Sequence, residues 1–179
     1  MQQKIQLRKR YLYLRKKKYF NISRKFFLPL LKLIRLKIKK KRYKIALYYP
    51  SNFELNVTKS MEIKQILAQD ILLPVTDTKN LMNFFSWKKN DVLFVNKFGI
   101  LEPAKTKAKV PDVMLIPLLA FDKYKFRLGY GKGFYDRYLK KYKNILTIGV
   151  AFSFQKHHKL PINQYDIKLD YVLTEKGIY

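Results

Sequence analysis

Apolar positions in the first part of the chain recur at helical intervals, and in the remainder they gather into short runs. Leu7, Tyr11 and Leu14 stand at i, i+4 and i+7 with no glycine or proline before Asn21, which predicts a helix over residues 3–19. Phe27, Leu31, Ile34 and Ile38 keep the same spacing in a second helix, with Asn21 or Ser23 as its cap; Pro29 either kinks it or marks its true first turn. Residues 44–49 (KIALYY), 70–75 (DILLPV), 81–87 (LMNFFSW), 113–116 (VMLI), 144–152 (NILTIGVAF) and 169–174 (LDYVLT) read as short strands. Residues 57–69 fit an amphipathic helix and Phe134–Lys141 another; 92–95 is a strand or part of a loop, and 99–111 reads as irregular. Helices alternating with strands this apolar imply an α/β fold: a single three-layer α/β domain with a largely parallel sheet.

Composition changes this picture little, but charge adds to it. A chain of 179 residues with 48% hydrophobic content supports one folded domain and is incompatible with a disordered polyelectrolyte, despite a formal charge of +27. The charge is uneven: residues 1–53 carry 18 Lys or Arg and no acid. Such a segment suits nucleic acid, an acidic membrane or a nucleoside triphosphate, and composition alone leaves the three open. Heavy use of Lys, Ile, Asn, Phe and Tyr throughout also fits plain compositional drift. No cysteine is present, so disulfides and thiolate metal sites are excluded. The most apolar N-terminal stretch is broken by Pro29 and Lys32, so neither a signal peptide nor a spanning helix is expected, and a cytoplasmic location is.

Candidate chemistry concentrates in residues 111–139, PDVMLIPLLAFDKYKFRLGYGKGFYDRYL. A strand-like run leads to Arg127, to Gly129, Gly131 and Gly133, and then to Asp136 at the start of a helix. Glycines spaced by two serve tight turns as well as phosphates. The flanking cations and carboxylate favour an anion cradle, since a polyphosphate needs close backbone N–H groups, cationic partners and a metal-bridging acid. Lys4, Arg8 and Arg15 share a stripe beside the apolar face of the first helix; by spacing alone that stripe is a solvated face. Glu54, the first acid in the chain, follows a strand end, where it is either a ligand contact or a helix-start acid.

The chain resembles the 5-formyltetrahydrofolate cyclo-ligase family, also called 5,10-methenyltetrahydrofolate synthetase, over nearly its whole length. The likeness rests on KIQLR at 4–8, YYPSNFEL at 48–55, DILLPV, GILEP at 99–103, the long block at 111–139, Gln155, and YDIKLDYVLTE at 165–175. It implies a cyclo-ligase-like (Rossmann-like) single three-layer α/β/α domain spanning 1–179 that acts as an ATP- and Mg2+-dependent ligase. The implied reaction closes 5-formyltetrahydrofolate to 5,10-methenyltetrahydrofolate with release of ADP and phosphate.

By the same resemblance Lys4, Arg8, Arg127, Leu128, Gly129, Tyr130, Gly131, Lys132, Gly133, Phe134 and Tyr135 contact ATP, which overrides the solvated-face reading of Lys4 and Arg8. Arg127 and Lys132 are the implied catalytic cations; Lys132 stands where many members have glycine, so it meets transferring phosphate or points outward. Tyr49 and Glu54, with residues 130–134 of the loop, are the implied folate contacts, and Asp136 and Asp166 the implied metal ligands. The bland alternatives are a helix-start acid for Asp136 and a turn residue for Asp166, while Arg15 stays unassigned. Asp122, Asp170 and Glu102 read as structural, and His157 and His158 as surface residues. The implied partners are the two small-molecule substrates, with no obligatory nucleic acid or membrane and a monomer or weak homodimer. A basic RNA-binding or ribosome-associated protein is the alternative from another class.

Overall fold

A computed structural model describes residues 2–77 and 81–179. Helix α1 (Gln2–Lys18) forms from an uninterrupted run of good helix formers, and Leu7 and Tyr11 are buried on one side of it. Helix α2 (Leu28–Lys37) follows a 3-10 turn, Arg24–Phe27, whose first residue is preceded by Ser23; the Ser23 hydroxyl accepts from the Lys25 N–H at 3.3 Å. Pro29 lies in the first turn of α2, where no intrahelical N–H bond is lost, so it starts the helix rather than kinking it.

The expected helix over 57–69 is not continuous. A 3-10 turn, Val57–Glu62, ends at Ile63 in an extended conformation, and a single turn α3 (Lys64–Leu67) follows. Asn56 caps the first piece by accepting from the Thr58 N–H at 3.1 Å. Breaking at Ile63 turns Val57, Met61, Ile63 and Ile66 all inward, which a straight helix in this short link would not.

Strands β1 (Lys44–Ala46), β2 (Asp70–Thr76), β3 (Met82–Ser86), β6 (Val113–Pro117), β9 (Leu146–Val150), β10 (Tyr171–Thr174) and β11 (Gly177–Ile178) form one sheet in the order β11-β10-β9-β6-β1-β2-β3. The five inner strands, β10 through β2, run parallel, and β3 and β11 close the edges antiparallel. Alternation along each strand sorts its side chains. Ile45, Leu47, Ile71, Leu73, Val113 and Leu115 face the layer of α2 and the 3-10 turns. Ala46, Leu72, Met114 and Ile116 face α4 (Phe134–Lys141), packing with Tyr138 and Leu139. Both faces are therefore covered, as an apolar parallel sheet requires.

Two hairpins lie outside this sheet. The segment at 99–111, expected to be irregular, contains β5 (Leu101–Pro103), which pairs antiparallel with β4 (Leu93–Val95). Within the long central block, β7 (Ala120–Phe121) pairs with β8 (Arg127–Leu128) around a turn that Asp122 closes by accepting from the Tyr124 and Phe126 N–H groups. Two-residue strands have no readable period, which is why this hairpin has no sequence signature. Leu119, Ala120 and Leu128 on it carry Leu7 and Tyr11 of α1. Through these contacts α1 is packed against the hairpin that leads into the glycine segment.

Candidate functional site

Gly129, Gly131 and Gly133 follow β8, and two of them take left-handed backbone: φ is +100° at Gly131 and +67° at Gly133. These angles disfavour any residue with a Cβ. A Cβ at Gly131 would also meet the Arg8 guanidinium at 3.0 Å. Arg8 donates from Nε to the Gly129 carbonyl at 2.9 Å, so α1 is tied to the glycine loop and a cation lies against its open backbone. Lys4, one turn earlier on the same stripe, reaches Asp166 instead.

Arg127 and Lys4 each rest on a carboxylate. Arg127 donates from Nη2 to Asp136 Oδ1 and from Nη1 to the Ile167 carbonyl, both at 2.8 Å, and the Ile167 N–H donates to the same Asp136 oxygen at 3.0 Å. Lys4 Nζ donates to Asp166 Oδ2 at 2.5 Å, and the Asn163 N–H reaches that oxygen at 2.7 Å. These bonds use Oδ1 of Asp136 and Oδ2 of Asp166, leaving the other oxygen of each carboxylate for a further ligand. No group of three or more His, Cys, Asp or Glu side chains that would hold a metal ion occurs among the described residues. Two hard oxygen donors without a third fit Mg2+, which commonly binds one or two carboxylates together with phosphate oxygens and water.

The other half of the site is a turn after β1. Asn52 and Phe53 both adopt left-handed backbone, with φ of 47° and 60°, conformations costing roughly 1 kcal/mol or more each in a residue with a side chain. The turn closes on itself: the Glu54 N–H donates to the Ser51 carbonyl at 2.8 Å, and the Ser51 N–H donates to Glu54 Oε2 at 2.9 Å. Glu54 is only 6% exposed, and the Tyr130 hydroxyl donates to its Oε1 at 2.8 Å. Burial raises its pKa above the ordinary carboxylate range, against the lowering effects of the Arg15 guanidinium and the Ser51 and Tyr130 hydrogen bonds. Tyr130 as a residue is 38% exposed while its hydroxyl is turned inward to Glu54, and burial followed by the Glu54 charge pushes that hydroxyl well up. Tyr135 is shifted upward by the same two causes, in the same order.

A cavity of about 290 Å³ opens beside this turn, lined by Tyr19, Pro50, Ser51, Phe53 and Glu54 among others. That is near the lower end of small-molecule sites, about 300 Å³ upward. Tyr49 is half-buried edge-on to Trp87, with ring centroids 6.5 Å apart. Phe134 meets Phe98 of the β4–β5 turn at 6.3 Å, and the exposed Lys132 holds its ammonium 5.5 Å above the same Phe98 ring. A larger cleft of about 440 Å³, lined by Lys37, Lys125, Lys168 and Tyr171, opens where β9 and β10 begin, at the opposite end of the parallel strands from the Glu54 turn.

Two residues differ from their sequence reading. Arg15, left unassigned, is 1% exposed, more deeply buried than Leu14 of the expected packing face. The stripe Lys4, Arg8, Arg15 was its only signal. His157, read as a surface residue, is half-buried with its ring edge-on to Tyr11, and Nδ1 lies 3.0 Å from the Tyr11 hydroxyl; a lone imidazole in the sequence has no period that would show this. His158 is exposed. Glu102 accepts from Thr76 and Asn96, and Asp170 from Thr147.

The model of the 5-formyltetrahydrofolate cyclo-ligase family matches residues 1–175. The 5-formyltetrahydrofolate cyclo-ligase of Haemophilus influenzae is 32% identical over 139 residues, 73% of this chain and 74% of that one. Its Escherichia coli K12 counterpart is 31% identical over 144 residues, 75% and 79% of the two chains. Among solved structures, 5,10-methenyltetrahydrofolate synthetase from Aquifex aeolicus superposes with a TM-score of 0.78 at 32% identity, covering 98% of this chain and 91% of that one. The 5,10-methenyltetrahydrofolate synthetase from Mycoplasma pneumoniae gives 0.70 at 28% identity, covering 95% and 97%.

Proposed function

The chain belongs to the 5-formyltetrahydrofolate cyclo-ligase family, and from that premise we propose that it closes 5-formyltetrahydrofolate to 5,10-methenyltetrahydrofolate with ATP and Mg2+. The observation that carries the assignment of the site is Tyr130. It belongs to the glycine loop, yet its hydroxyl bonds Glu54, so the anion cradle and the buried carboxylate form one surface. ATP lies along residues 128–135 with Lys4, Arg8 and Arg127 on its phosphates, and the pterin lies against Tyr49, Glu54 and Phe134. The Glu54 carboxylate accepts the pterin N–H groups, and the aromatic rings pack on its faces.

The reaction asks for positioning and charge neutralisation rather than a protein nucleophile. Transfer of the γ-phosphoryl group to the formyl oxygen turns that oxygen into a leaving group. N10 then attacks the activated carbon, the C–O bond breaks, and phosphate departs as the ring closes. Arg127 neutralises charge on the transferring phosphoryl group, and Lys132 is the second candidate for that role. Asp136 and Asp166 are the residues that would hold Mg2+, which supplies further charge screening on the triphosphate. Arg127 and Lys4 rest on those same carboxylates, which keeps both cations beside the metal position.

The enzyme works as one cytoplasmic domain, a monomer or weak homodimer, with no obligatory nucleic acid or membrane. No helix among the described residues is long and apolar enough to cross a bilayer. The test is direct: purified protein is mixed with 5-formyltetrahydrofolate, Mg2+ and ATP, and the methenyl chromophore is followed. Folded protein that forms no ATP-dependent product would overturn the proposal, and tight, salt-sensitive RNA binding in its place would establish the other class.

A further inference from the structure

Arg15 lies in the middle of the site with every nitrogen of its guanidinium engaged. Nε donates to the Asn52 carbonyl at 2.9 Å, Nη1 to the Leu118 carbonyl at 3.3 Å, and Nη2 to the Tyr130 hydroxyl. The three acceptors come from three different segments: the strained turn before Glu54, the end of β6, and the glycine loop. The guanidinium carbon is also 5.7 Å from the Tyr130 ring centroid. A planar fork with fixed donor directions joins three segments in one geometry, whereas an ammonium on a flexible stem does not. The left-handed Asn52 and Phe53 backbone needs outside restraint to persist, and the bond to Asn52 supplies it.

We propose that Arg15 is a positioning residue that locks the glycine loop to the turn carrying Glu54, so that the phosphate half and the folate half of the site form as one unit. The assignment of the two halves rests on the proposed cyclo-ligase activity; the lock itself rests on the three hydrogen bonds. Arg15 does two separable things. Its fork holds backbone, and its charge offsets the buried Glu54 carboxylate. The groups facing Glu54 are Arg15 from α1, Tyr130 from the loop, Tyr48 after β1 and Tyr135 from α4, with Arg127 acting on Tyr135; among the described residues Arg15 is the cation whose charge lowers the Glu54 pKa.

Two variants separate the roles. Arg15→Lys keeps the charge and loses the fork, whereas Arg15→Gln loses the charge. Amide hydrogen exchange on the full chain reads the lock without any substrate. In Arg15→Lys the Ser51 and Glu54 amides exchange at least tenfold faster while the β6 and β9 amides do not change. Tyr130→Phe, a change in the other half, also speeds those two amides, and the double variant is no faster than Arg15→Lys alone. Unchanged protection at Ser51 and Glu54, or strictly additive effects, overturns the lock.

With substrates, kcat/KM falls about 100-fold in Arg15→Lys, as expected for a misplacement of about 1 Å. The acid limb of the pH profile for the folate moves to higher pH in Arg15→Gln and returns in Arg15→Lys, which a purely structural role would not produce. A limb that stays put in Arg15→Gln overturns the charge role. If the wild-type chain forms no methenyl product, the proposed activity fails, and the exchange measurements alone decide the lock.

Discussion

The two ends of the parallel sheet hold carboxylates in opposite electrostatic states. At the end where β1 and β6 begin, Asp112 accepts from Lys40 Nζ at 2.7 Å and from the Lys44 N–H at 2.8 Å, with Lys44 Nζ at 3.5 Å. Burial pushes its pKa up, but the Lys40 and Lys44 hydrogen bonds and charges outweigh this and hold it below the usual range. At the other end Glu54 is enclosed, burial wins, and its pKa is raised. The same functional group is made a stable clamp where two lysines and water reach it, and a desolvated acceptor where burial outweighs the one guanidinium nearby. One end ties strands together at little cost, and the other holds the carboxylate that we propose accepts the folate. Variants at the Glu54 end should therefore lose function, while variants at the Asp112 end should lose only stability.

The largest expected effect comes from removing the enclosed carboxylate. Glu54→Leu leaves the Arg15 guanidinium buried without its anion and is expected to destabilise the fold by about 3 kcal/mol; urea unfolding reads this, and folate binding by titration should be lost as well. A stability equal to wild type would mean that the two ends do not differ as described.

Next comes Arg127→Lys. Arg127 satisfies Asp136 and the Ile167 carbonyl at once, and one ammonium does not reproduce that fork. Loss of one charge-assisted bond to phosphate is expected to cost about 1.5–3 kcal/mol in kcat/KM for ATP, and the melting temperature should fall as well because the fork to Asp136 and Ile167 is broken; a kinetic profile identical to wild type would remove Arg127 from the phosphate half.

Asp136→Asn keeps an acceptor for the Ile167 N–H but weakens the metal site. Half-maximal activation should need about tenfold or more Mg2+, with folate binding nearly intact. Overlaid metal titrations for the two proteins would strike Asp136 from the ligand set.

The smallest effect is also the most direct comparison of the two ends. A carboxylate with a lowered pKa contributes stability that is present above its unfolded value and lost as pH falls through the folded one; a raised pKa does the reverse. Asp112→Asn should thus cost about 1 kcal/mol or less near neutrality, and the cost should vanish in acid. The advantage of wild type over Glu54→Gln should instead shrink as pH rises from the ordinary glutamate range through the raised Glu54 value. Denaturation curves across that pH range should give slopes of opposite sign, and parallel slopes would break the comparison.

Much of the fold was legible because its strands are buried on both faces. DILLPV and VMLI have no polar side to disguise them, and the 3.6-residue spacing of Phe27, Leu31 and Ile34 marked α2 together with the 3-10 turn that leads into it. The break at Ile63 and the short β7–β8 pairing were not legible, since each is decided by what the segment packs against. In the site, the glycines flanked by Arg127 and Asp136 pointed to an anion, Lys4 and Arg8 were assigned to it only through the family resemblance, and Arg15 looked like one more cation among 39. Most of the others on the N-terminal third, such as Lys9, Lys16, Lys32 and Lys41, are exposed.

The sequence by itself determined the strand runs, the two long helices, the glycine loop and the family motifs, because each is written in neighbouring residues or in one periodicity. Tertiary structure alone decided that the Tyr130 hydroxyl meets Glu54 76 positions away and that Arg15 bonds the segments around both. The physical reason is burial. Whether a carboxylate or a guanidinium is a solvated charge or a fixed, desolvated partner depends on how much water the fold leaves around it, and no local pattern encodes that quantity.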